Sequence, residues 1–242
     1  MDGFRQSTLK RNAMDQARNN MTCLAPHDLL WVPNQAALAT VEPMPRWATA
    51  AWIALAPVVV RREHLDATGL VPVGLRGKQR NQRLRAYLDS TAGIHCCIKP
   101  EELARRQAWF EQPQQLQSPA ISALMRIAPY LDRTGLVWGP TGSAGFTLAS
   151  GISTLHAGSD LDIVVRCCRP FTQEQVDALH CALACSACKV DLQVDTGHGG
   201  FSFLEWTGKA GVVLLKTNFG PIFTNTPWDE PVGCNSRNRH VQ

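Results

Sequence analysis

The alternation of apolar and polar residues in the C-terminal half of the chain predicts a β-sheet with one polar face. Residues 190–195 (VDLQVD) alternate strictly, so their three polar side chains point to the same side of a strand. In residues 160–166, two aspartates flank a leucine ahead of an apolar run, and the same period places Asp160 and Asp162 on one face. Three further strands are predicted over residues 136–138, 201–206 and 211–216.

Helix-start signals separate some of these strands. Ser118-Pro119 places an N-cap residue before a proline in the first turn, and an apolar stripe at helical spacing follows. Thr172 and Gln175 form a capping box, which predicts a helix that runs to about residue 184. A shorter helix is predicted over residues 143–149, after a glycine-rich turn. After the first helix, the predicted order in this half of the chain is therefore β-turn-α-β-α-β-β-β.

The N-terminal half predicts strands with few helices. Residues 27–32, 51–60 and 70–75 are apolar or β-branched, and Pro72 favours an edge position for the last of these strands. Residues 111–118 are rich in glutamine and contain a proline, which is typical of a linker. We therefore predict an α+β fold. It comprises a small basic N-terminal α+β domain (residues 25–112) and a C-terminal domain (residues 118–233) with a mixed sheet and flanking helices.

The polar residues 1–24 predict an extension outside these domains, and Met21 is an alternative start. No apolar run reaches the length of a membrane span, and the N-terminus lacks the apolar core of a signal peptide. We therefore expect a cytoplasmic protein without a membrane partner. Most of the nine cysteines are then expected to be free thiols. Cys181, Cys185 and Cys188 have the spacing of an iron–sulfur site, but the predicted helix over them favours incidental thiols.

Charge is distributed unevenly between the two halves. Residues 1–135 carry 17 Lys and Arg against 11 Asp and Glu, whereas residues 136–242 carry 7 against 9. A basic run over residues 76–85 contributes to the first excess. Such a surface suits phosphate-rich ligands or an acidic protein partner, or is an ordinary solvated surface. Nucleic-acid binding is not expected, because no aromatic residues alternate with the basic ones as a stacking surface.

The candidate chemistry lies in the glycine-rich turn and the aspartates that follow it. Two carboxylates on one strand face repel each other, and a divalent cation between them relieves the repulsion. A third carboxylate, Asp191 or Asp195, lies on the face of the next predicted strand. Three carboxylates can hold two Mg²⁺ ions, with Mn²⁺ as a substitute, and two ions stabilise the attacking and leaving oxygens of a phosphoryl transfer. Asp160, Asp162 and Asp191 are the predicted metal ligands.

Phosphate binding is predicted next to these carboxylates. Gly142-Ser143 opens a helix, where backbone N–H groups and the helix dipole favour an anion. The turn is not a Walker A loop, because no Gly-Lys-Ser/Thr follows it. Lys216 ends an apolar strand and could also reach a phosphate. Gly142, Ser143 and Lys216 are therefore the candidate substrate-binding residues.

The combination of a strand, a Gly-Ser turn, a helix, Ser-Asp-x-Asp and an alternating acidic strand is the pattern of the nucleotidyltransferase superfamily. Within it, residues 25–230 resemble the phosphoribosyl-dephospho-CoA transferases, the holo-acyl-carrier-protein synthases of malonate decarboxylase. The most specific resemblance is WGPTGSAGFTLASG (residues 138–151) followed by SDLDI (159–163). PHDLLWV, VPVGL, VDLQV and VLLKTNFGP support it at residues 26–32, 71–75, 190–194 and 213–221.

The resemblance implies a specific reaction and specific roles. The substrate would be 2′-(5″-triphosphoribosyl)-3′-dephospho-CoA, and the acceptor a serine of the acyl-carrier subunit of malonate decarboxylase, with diphosphate released. The two catalytic aspartates of the family fall on Asp160 and Asp162. Two other readings stay open: a nucleotidyltransferase that moves AMP to a protein, RNA or small molecule, and a degenerate domain that only binds.

Overall fold

The computed structural model describes residues 24–65, 69–111, 114, 117–208 and 211–231. The chain divides into two compact units. The first runs to Arg61 and resumes over Leu65–Ile98, and the second contains Arg62–His64 and the chain from Lys99 onward. Each unit contains a sheet and at least one helix, so the predicted α+β class is confirmed. Of the predicted N-terminal extension, residues 1–23, including Met21, lie outside the described residues.

The first unit is built on a six-stranded sheet in which every pairing is antiparallel. Its strands are β1 (Leu29–Trp31), β2 (Leu38–Ala39), β3 (Val58–Val60), β4 (Leu70–Arg76), β5 (Arg83–Asp89) and β6 (Cys96–Ile98). They lie in the order β2-β5-β4-β3-β1-β6. Helix α1 (Ala50–Leu55) and 3₁₀ turns at Gln35–Ala37 and Ser90–Ala92 complete the unit. One face of the sheet forms its core, with Leu30, Val73, Ala86 and Leu88 fully buried.

Helix α1 shows that the single strand predicted over residues 51–60 is wrong. Thr49 is the N-cap, and its hydroxyl accepts a hydrogen bond from the backbone N–H of Trp52 (3.1 Å). The segment after it contains three alanines and a leucine, which are strong helix formers. Strand β3 begins only after Pro57. Local capping and propensity therefore divide one apolar run into a helix and a strand.

Pro72 lies in a central strand, so the predicted edge position is also wrong. Strand β4 pairs with β3 on one side and β5 on the other. The Pro72 carbonyl accepts a hydrogen bond from the backbone N–H of Arg61 (2.8 Å), which follows the last residue of β3. A strand residue directs its N–H and C=O to the same side, so the side of Pro72 that lacks an N–H faces β3. Strand β3 ends at Val60, so Pro72 lies just beyond the last regular pair between the two strands.

The second unit is built on a mixed sheet, as predicted, and this sheet has six strands. Its strands are β7 (Val137–Pro140), β8 (Leu161–Arg166), β9 (Val190–Asp195), β10 (Gly199–Ser202), β11 (Val213–Thr217) and β12 (Gly220–Thr224). They lie in the order β12-β11-β10-β9-β8-β7. Strands β8 and β9 are parallel, and the other pairs are antiparallel.

Five helices belong to this unit in the part of the chain that the structure describes. They are α2 (Pro100–Arg105), α3 (Pro119–Arg133), α4 (Gly142–Ser150), α5 (Gln173–Ala184) and α6 (Phe203–Trp206), with a 3₁₀ turn at Ala108–Glu111. The capping box of α5 is confirmed: the Thr172 hydroxyl accepts from the Gln175 N–H (3.2 Å), and the Gln175 side chain accepts from the Thr172 N–H (3.1 Å). Because α5 connects β8 to β9, these two strands can run parallel.

Three details of the second unit differ from the sequence-based expectation. The strand predicted over residues 201–206 ends at Ser202, and the chain continues as α6. Strand β12 was not predicted. The chain enters the second unit at Lys99, before the glutamine-rich segment that predicted a linker.

The two faces of the second sheet differ sharply in chemistry. Leu161, Ile163 and Val165 of β8 are buried, as are the alternating apolar residues of β9. Asp162 and Arg166 project from the opposite face, which we call the polar face. Helix α2 covers part of the polar face. It approaches Gly139 of β7 so closely that a Cβ at this glycine would collide with the Pro100 carbonyl. The rest of that face carries the polar residues of interest below.

None of the helices within the described ranges is long and apolar enough to cross a membrane. The seven cysteines in the same ranges are free thiols, including the three with iron–sulfur spacing.

Candidate active site

The glycine-rich turn joins β7 directly to helix α4. Thr141 is the N-cap residue of α4, and its side chain makes no capping hydrogen bond. Its backbone N–H instead donates to the carbonyl of Asp162 (2.8 Å), which ties the turn to strand β8. The N-terminus of a nine-residue helix therefore begins beside the first strand of the carboxylate pair. Such a helix end favours anions, since its first N–H groups and its dipole are directed there.

Gly142 allows the closest approach between this turn and the carboxylates. Its backbone has φ = 56°, a left-handed conformation that favours glycine. A Cβ at this position would collide with the Asp162 carboxylate. Gly142 is thus required twice, by its conformation and by the space that the carboxylate takes. The Gly-Ser pair predicted from sequence and Asp162 are brought together by the fold.

Asp162 and Asp191 are direct neighbours in the sheet. The parallel register pairs Asp162 of β8 with Asp191 of β9, so both side chains project from the polar face. Asp160 precedes β8 by one residue and is half-exposed at the same end of the strand. The predicted carboxylates Asp160, Asp162 and Asp191 therefore lie at one end of the polar face, next to Gly142.

Lys189 joins this group and was not singled out from the sequence. Its Nζ lies 3.6 Å from Oδ2 of Asp160, and its carbonyl accepts a hydrogen bond from the N–H of Leu161 (2.9 Å). The lysine is largely exposed, so the ion pair itself adds little stability. In the sequence, Lys189 is only a basic residue two positions before Asp191. The parallel register of β8 and β9 is what brings it beside Asp160.

A loop with buried hydroxyl groups holds Asp160 in place. Between α4 and β8, the Thr154 hydroxyl lies 3.1 Å from the Thr147 hydroxyl and 3.4 Å from the Ser143 carbonyl. The Ser159 hydroxyl then accepts a hydrogen bond from the backbone N–H of His156 (3.0 Å). These bonds fix the return of the chain from the helix to the strand, and so fix where the first aspartate stands relative to the turn.

Asp195 lies at the other end of the polar face and has different partners. It is 7% exposed, and it forms ion pairs with Arg62 (3.0 Å) and Arg166 (2.9 Å). Arg166 also pairs with Glu101 of α2 (3.3 Å). Asp195 follows Asp191 by four positions, or about 13 Å along a strand. Of the two acids that the alternation of β9 left open, Asp191 is therefore the one beside Asp162.

Arg62 reaches this network from a short segment that docks on the second sheet. The backbone N–H of His64 donates to the Asn218 carbonyl (2.7 Å), and the His64 ring lies 4.3 Å from the ring of Phe219. Gly200 of β10 has no side chain, and the Arg62 guanidinium lies in the space above it. Sequence patterns could not place Arg62 here, because it lies more than a hundred residues from its partner in the chain.

Lys216 is not brought to the carboxylates. The antiparallel registers align it with Gly200, and Gly200 with Asp195, so it belongs to the row at the Arg62 end of the polar face. Its side chain is exposed. Among the predicted substrate-binding residues, Gly142 and Ser143 thus lie beside Asp162, whereas Lys216 does not.

Asp160, Asp162 and Asp191 were predicted to hold Mg²⁺, and the structure pairs two of them, Asp162 and Asp191, directly. Within the described ranges, no three Asp, Glu, His or Cys side chains form a ready-made metal cage. Mg²⁺ does not require one, since it is usually held by one or two carboxylates together with water and substrate phosphates. The adjacent carboxylates of Asp162 and Asp191, next to a helix N-terminus, match that requirement.

Comparison with known protein families covers most of the chain. Residues 25–97 match the family model "Phosphoribosyl-dephospho-CoA transferase MdcG N-terminal domain". Residues 103–227 match "Phosphoribosyl-dephospho-CoA transferase MdcG C-terminal domain". The second match spans the turn, the carboxylates and β11. No solved structure matches the chain.

Curated relatives agree with these matches over nearly their whole length. A phosphoribosyl-dephospho-CoA transferase of Pseudomonas putida (strain W619) is 43% identical over 211 residues, which is 86% of this chain and 97% of the relative. Proteins of the same name from Pseudomonas syringae pv. tomato and Klebsiella pneumoniae (strain 342) are 41% and 38% identical. These cover 84% of this chain each, and 92% and 95% of the relatives. These matches show that the chain belongs to the phosphoribosyl-dephospho-CoA transferase family and is a transferase.

Proposed function

We propose that this enzyme transfers the phosphoribosyl-dephospho-CoA group from 2′-(5″-triphosphoribosyl)-3′-dephospho-CoA to a serine of the acyl-carrier subunit of malonate decarboxylase. The observation that carries the proposal is the pairing of Asp162 with Asp191 beside the N-terminus of α4, in a chain of this family. The site combines an anion-binding helix end with adjacent carboxylates, which suits a triphosphate substrate.

The proposed step breaks a phosphoanhydride bond of the triphosphate and forms a phosphate ester bond to serine. The serine oxygen of the carrier attacks the phosphorus next to the ribose, and a phosphodiester bond forms. The bond from that phosphorus to the bridging oxygen breaks, and diphosphate leaves with the electron pair. The serine proton is accounted for by the released diphosphate. No covalent bond to the enzyme is needed, so alignment and charge stabilisation are the tasks of the protein.

Each group of the site takes a part of this task. Backbone N–H groups at Gly142 and Ser143 hold the triphosphate tail, and Asp160, Asp162 and Asp191 are the residues that would hold Mg²⁺, with a two-ion site as the expectation. When bound, the metal would supply positive charge to the attacking and leaving oxygens. Lys189, next to Asp160, supplies a further cation for the released diphosphate.

The test is a mass measurement on the purified apo carrier after incubation with the enzyme, the triphosphoribosyl precursor and Mg²⁺. We expect the carrier to gain the mass of the phosphoribosyl-dephospho-CoA group at one serine. We expect Asp160→Asn and Asp162→Asn to abolish the gain, whereas Asp177→Asn, an exposed position on α5, should retain it. An unmodified carrier with the wild-type enzyme would refute the proposal.

Two parallel assays separate the alternatives. Label transferred from ATP to a protein, RNA or small molecule would indicate a general nucleotidyltransferase instead. Binding of the precursor without any divalent-ion dependence or turnover would indicate a domain that only binds.

A further inference from the structure

The β4–β5 hairpin of the first unit has a well-defined turn. Its two strands pair without interruption, from the pair of Leu70 with Asp89 to the pair of Arg76 with Arg83. The turn is closed by the N–H of Gly77, which donates to the Gln82 carbonyl (2.9 Å), and by the N–H of Gln79, which donates to the Gln82 side chain (3.0 Å). The positions of the side chains around this turn are therefore set by a hydrogen-bonded frame.

The hairpin carries four exposed basic side chains. Lys78 and Arg80 lie in the turn, and Arg83 and Arg85 alternate along β5 with the buried Leu84 and Ala86. We call these four residues the basic hairpin. Residues 70–89 contain five basic residues and one acidic residue, Asp89 at the far end of β5, so most of the positive charge is not compensated within the hairpin itself.

No carboxylate in the described residues forms an ion pair with the basic hairpin. In the described residues, the Arg83 side chain donates one hydrogen bond, from Nε to the Arg80 carbonyl (3.2 Å), and this bond stays within the hairpin. None of its four side chains forms an ion pair within the described ranges. Four neighbouring cations that form no ion pair with a carboxylate repel one another, and an anionic partner would relieve that repulsion.

The shape of the hairpin indicates the size of that partner. Strand β2 pairs with β5 only at Tyr87 and Leu88, so the outer edge of β5 from Arg83 to Ala86 has no strand neighbour in the described sheet. The cations thus stand on an exposed face and edge. Small ligands bind in concave pockets that bury most of their surface, whereas exposed charged surfaces recognise macromolecules by complementary potential. Residues 76–85 also lack an aromatic side chain on which a nucleic-acid base could stack.

We propose that the basic hairpin is the docking surface for the acceptor protein of the transfer reaction, and that this acceptor presents an acidic surface to it. The inference rests on the proposed function, because that function requires a protein acceptor. Docking by opposite charge raises the rate of encounter between enzyme and carrier, and it weakens as salt increases.

The test compares two double charge reversals in the full-length enzyme. Arg83→Glu with Arg85→Glu alters the basic hairpin. Arg46→Glu with Arg126→Glu is the matched control, because both positions are exposed and the net charge changes equally. Thermal unfolding confirms that each variant is folded. KM and kcat are then measured separately for the apo carrier and for the triphosphoribosyl precursor, at low and at high salt.

We expect the hairpin variant to raise KM for the carrier about tenfold or more at low salt, with kcat and KM for the precursor unchanged. In the control variant, KM for the carrier should stay near the wild-type value. High salt should reduce the difference in this KM between the hairpin variant and the wild-type enzyme. A rise in KM for the precursor would overturn the inference in favour of a nucleotide site. Equal effects in both variants, or none in either, would also overturn it.

Direct binding separates this inference from the proposed reaction. Titration of the carrier into the wild-type enzyme and into the hairpin variant reports docking without turnover. A wild-type enzyme that binds the carrier through the hairpin but does not modify it would refute the reaction and retain the docking surface. Hairpin-dependent binding of a single-stranded oligonucleotide, or a hairpin-dependent change in sedimentation of the enzyme alone, without an effect on carrier binding, would refute the docking surface.

Discussion

Asp162 and Asp191 stand side by side on adjacent parallel strands, in register and on the same face of the sheet. They lie nearly thirty residues apart in the chain, with helix α5 between them. Two carboxylates in this arrangement repel each other unless a cation is shared. Their pairing lies next to the N-terminus of α4, and on this arrangement we base the proposal of a Mg²⁺-dependent transfer.

Neutralising either member of this pair should reduce transfer without unfolding the enzyme. We expect Asp162→Asn and Asp191→Asn to lower kcat about a hundredfold or more, because each removes a carboxylate that would hold Mg²⁺ at the transferred phosphate. Both variants should also need more Mg²⁺ for half-maximal activity. The measurement is kcat against Mg²⁺ concentration. Normal activity of Asp191→Asn would remove this residue from the site.

Gly142→Ala should inactivate the enzyme by displacing the Asp162 carboxylate. The added Cβ collides with that carboxylate, and the left-handed backbone costs about 1–2 kcal/mol for an alanine. Gly135→Ala is the matched control, because its φ is 66° and a Cβ there meets nothing within 4 Å. We expect similar losses of stability in the two variants, measured by urea unfolding, and a loss of transfer only in Gly142→Ala. Equal activities would show that the close approach is not needed.

Asp195→Asn should destabilise the second unit rather than act on the chemistry. The change leaves Arg62 and Arg166 without the carboxylate that both contact, and loss of one partner from a buried ion pair costs about 3–5 kcal/mol. Asp191→Asn, at an exposed position of the same strand, should leave the unfolding free energy almost unchanged. Urea denaturation of both variants tests the contrast. The assignment of Asp195 as a structural residue fails if its variant is as stable as wild type.

Lys189→Met and Lys216→Met should have different effects on substrate binding. Lys189 lies 3.6 Å from Asp160, whereas Lys216 belongs to the row at the opposite end of the polar face. We expect a severalfold rise in KM for the triphosphoribosyl precursor in Lys189→Met, since an exposed charge contact contributes up to about 1 kcal/mol. Lys216→Met should remain near wild type. The reverse result would restore Lys216 as the phosphate-binding lysine.

Local patterns in the sequence predicted the parts of the fold that local forces decide. The capping box at Thr172 and the alternation of residues 190–195 each depend on neighbours within a few positions, and both are confirmed. The strand predicted over residues 51–60 failed because the helix N-cap at Thr49 competes within the same apolar run. Strand β12 was missed because its residues are largely exposed and show no alternation.

The sequence by itself determined the α+β class, the family and the residue types at the site. A Gly-Ser turn followed by Asp-x-Asp is a local pattern, and the period of a strand places Asp160 and Asp162 on one face without any tertiary information. The register between strands was decided only by the tertiary structure. The parallel pairing of β8 with β9 selects Asp191 over Asp195 and brings Lys189 to the carboxylates, while the antiparallel strands beyond place Lys216 at the far end. Register depends on hydrogen bonds and packing between distant segments, and one strand read alone does not contain it.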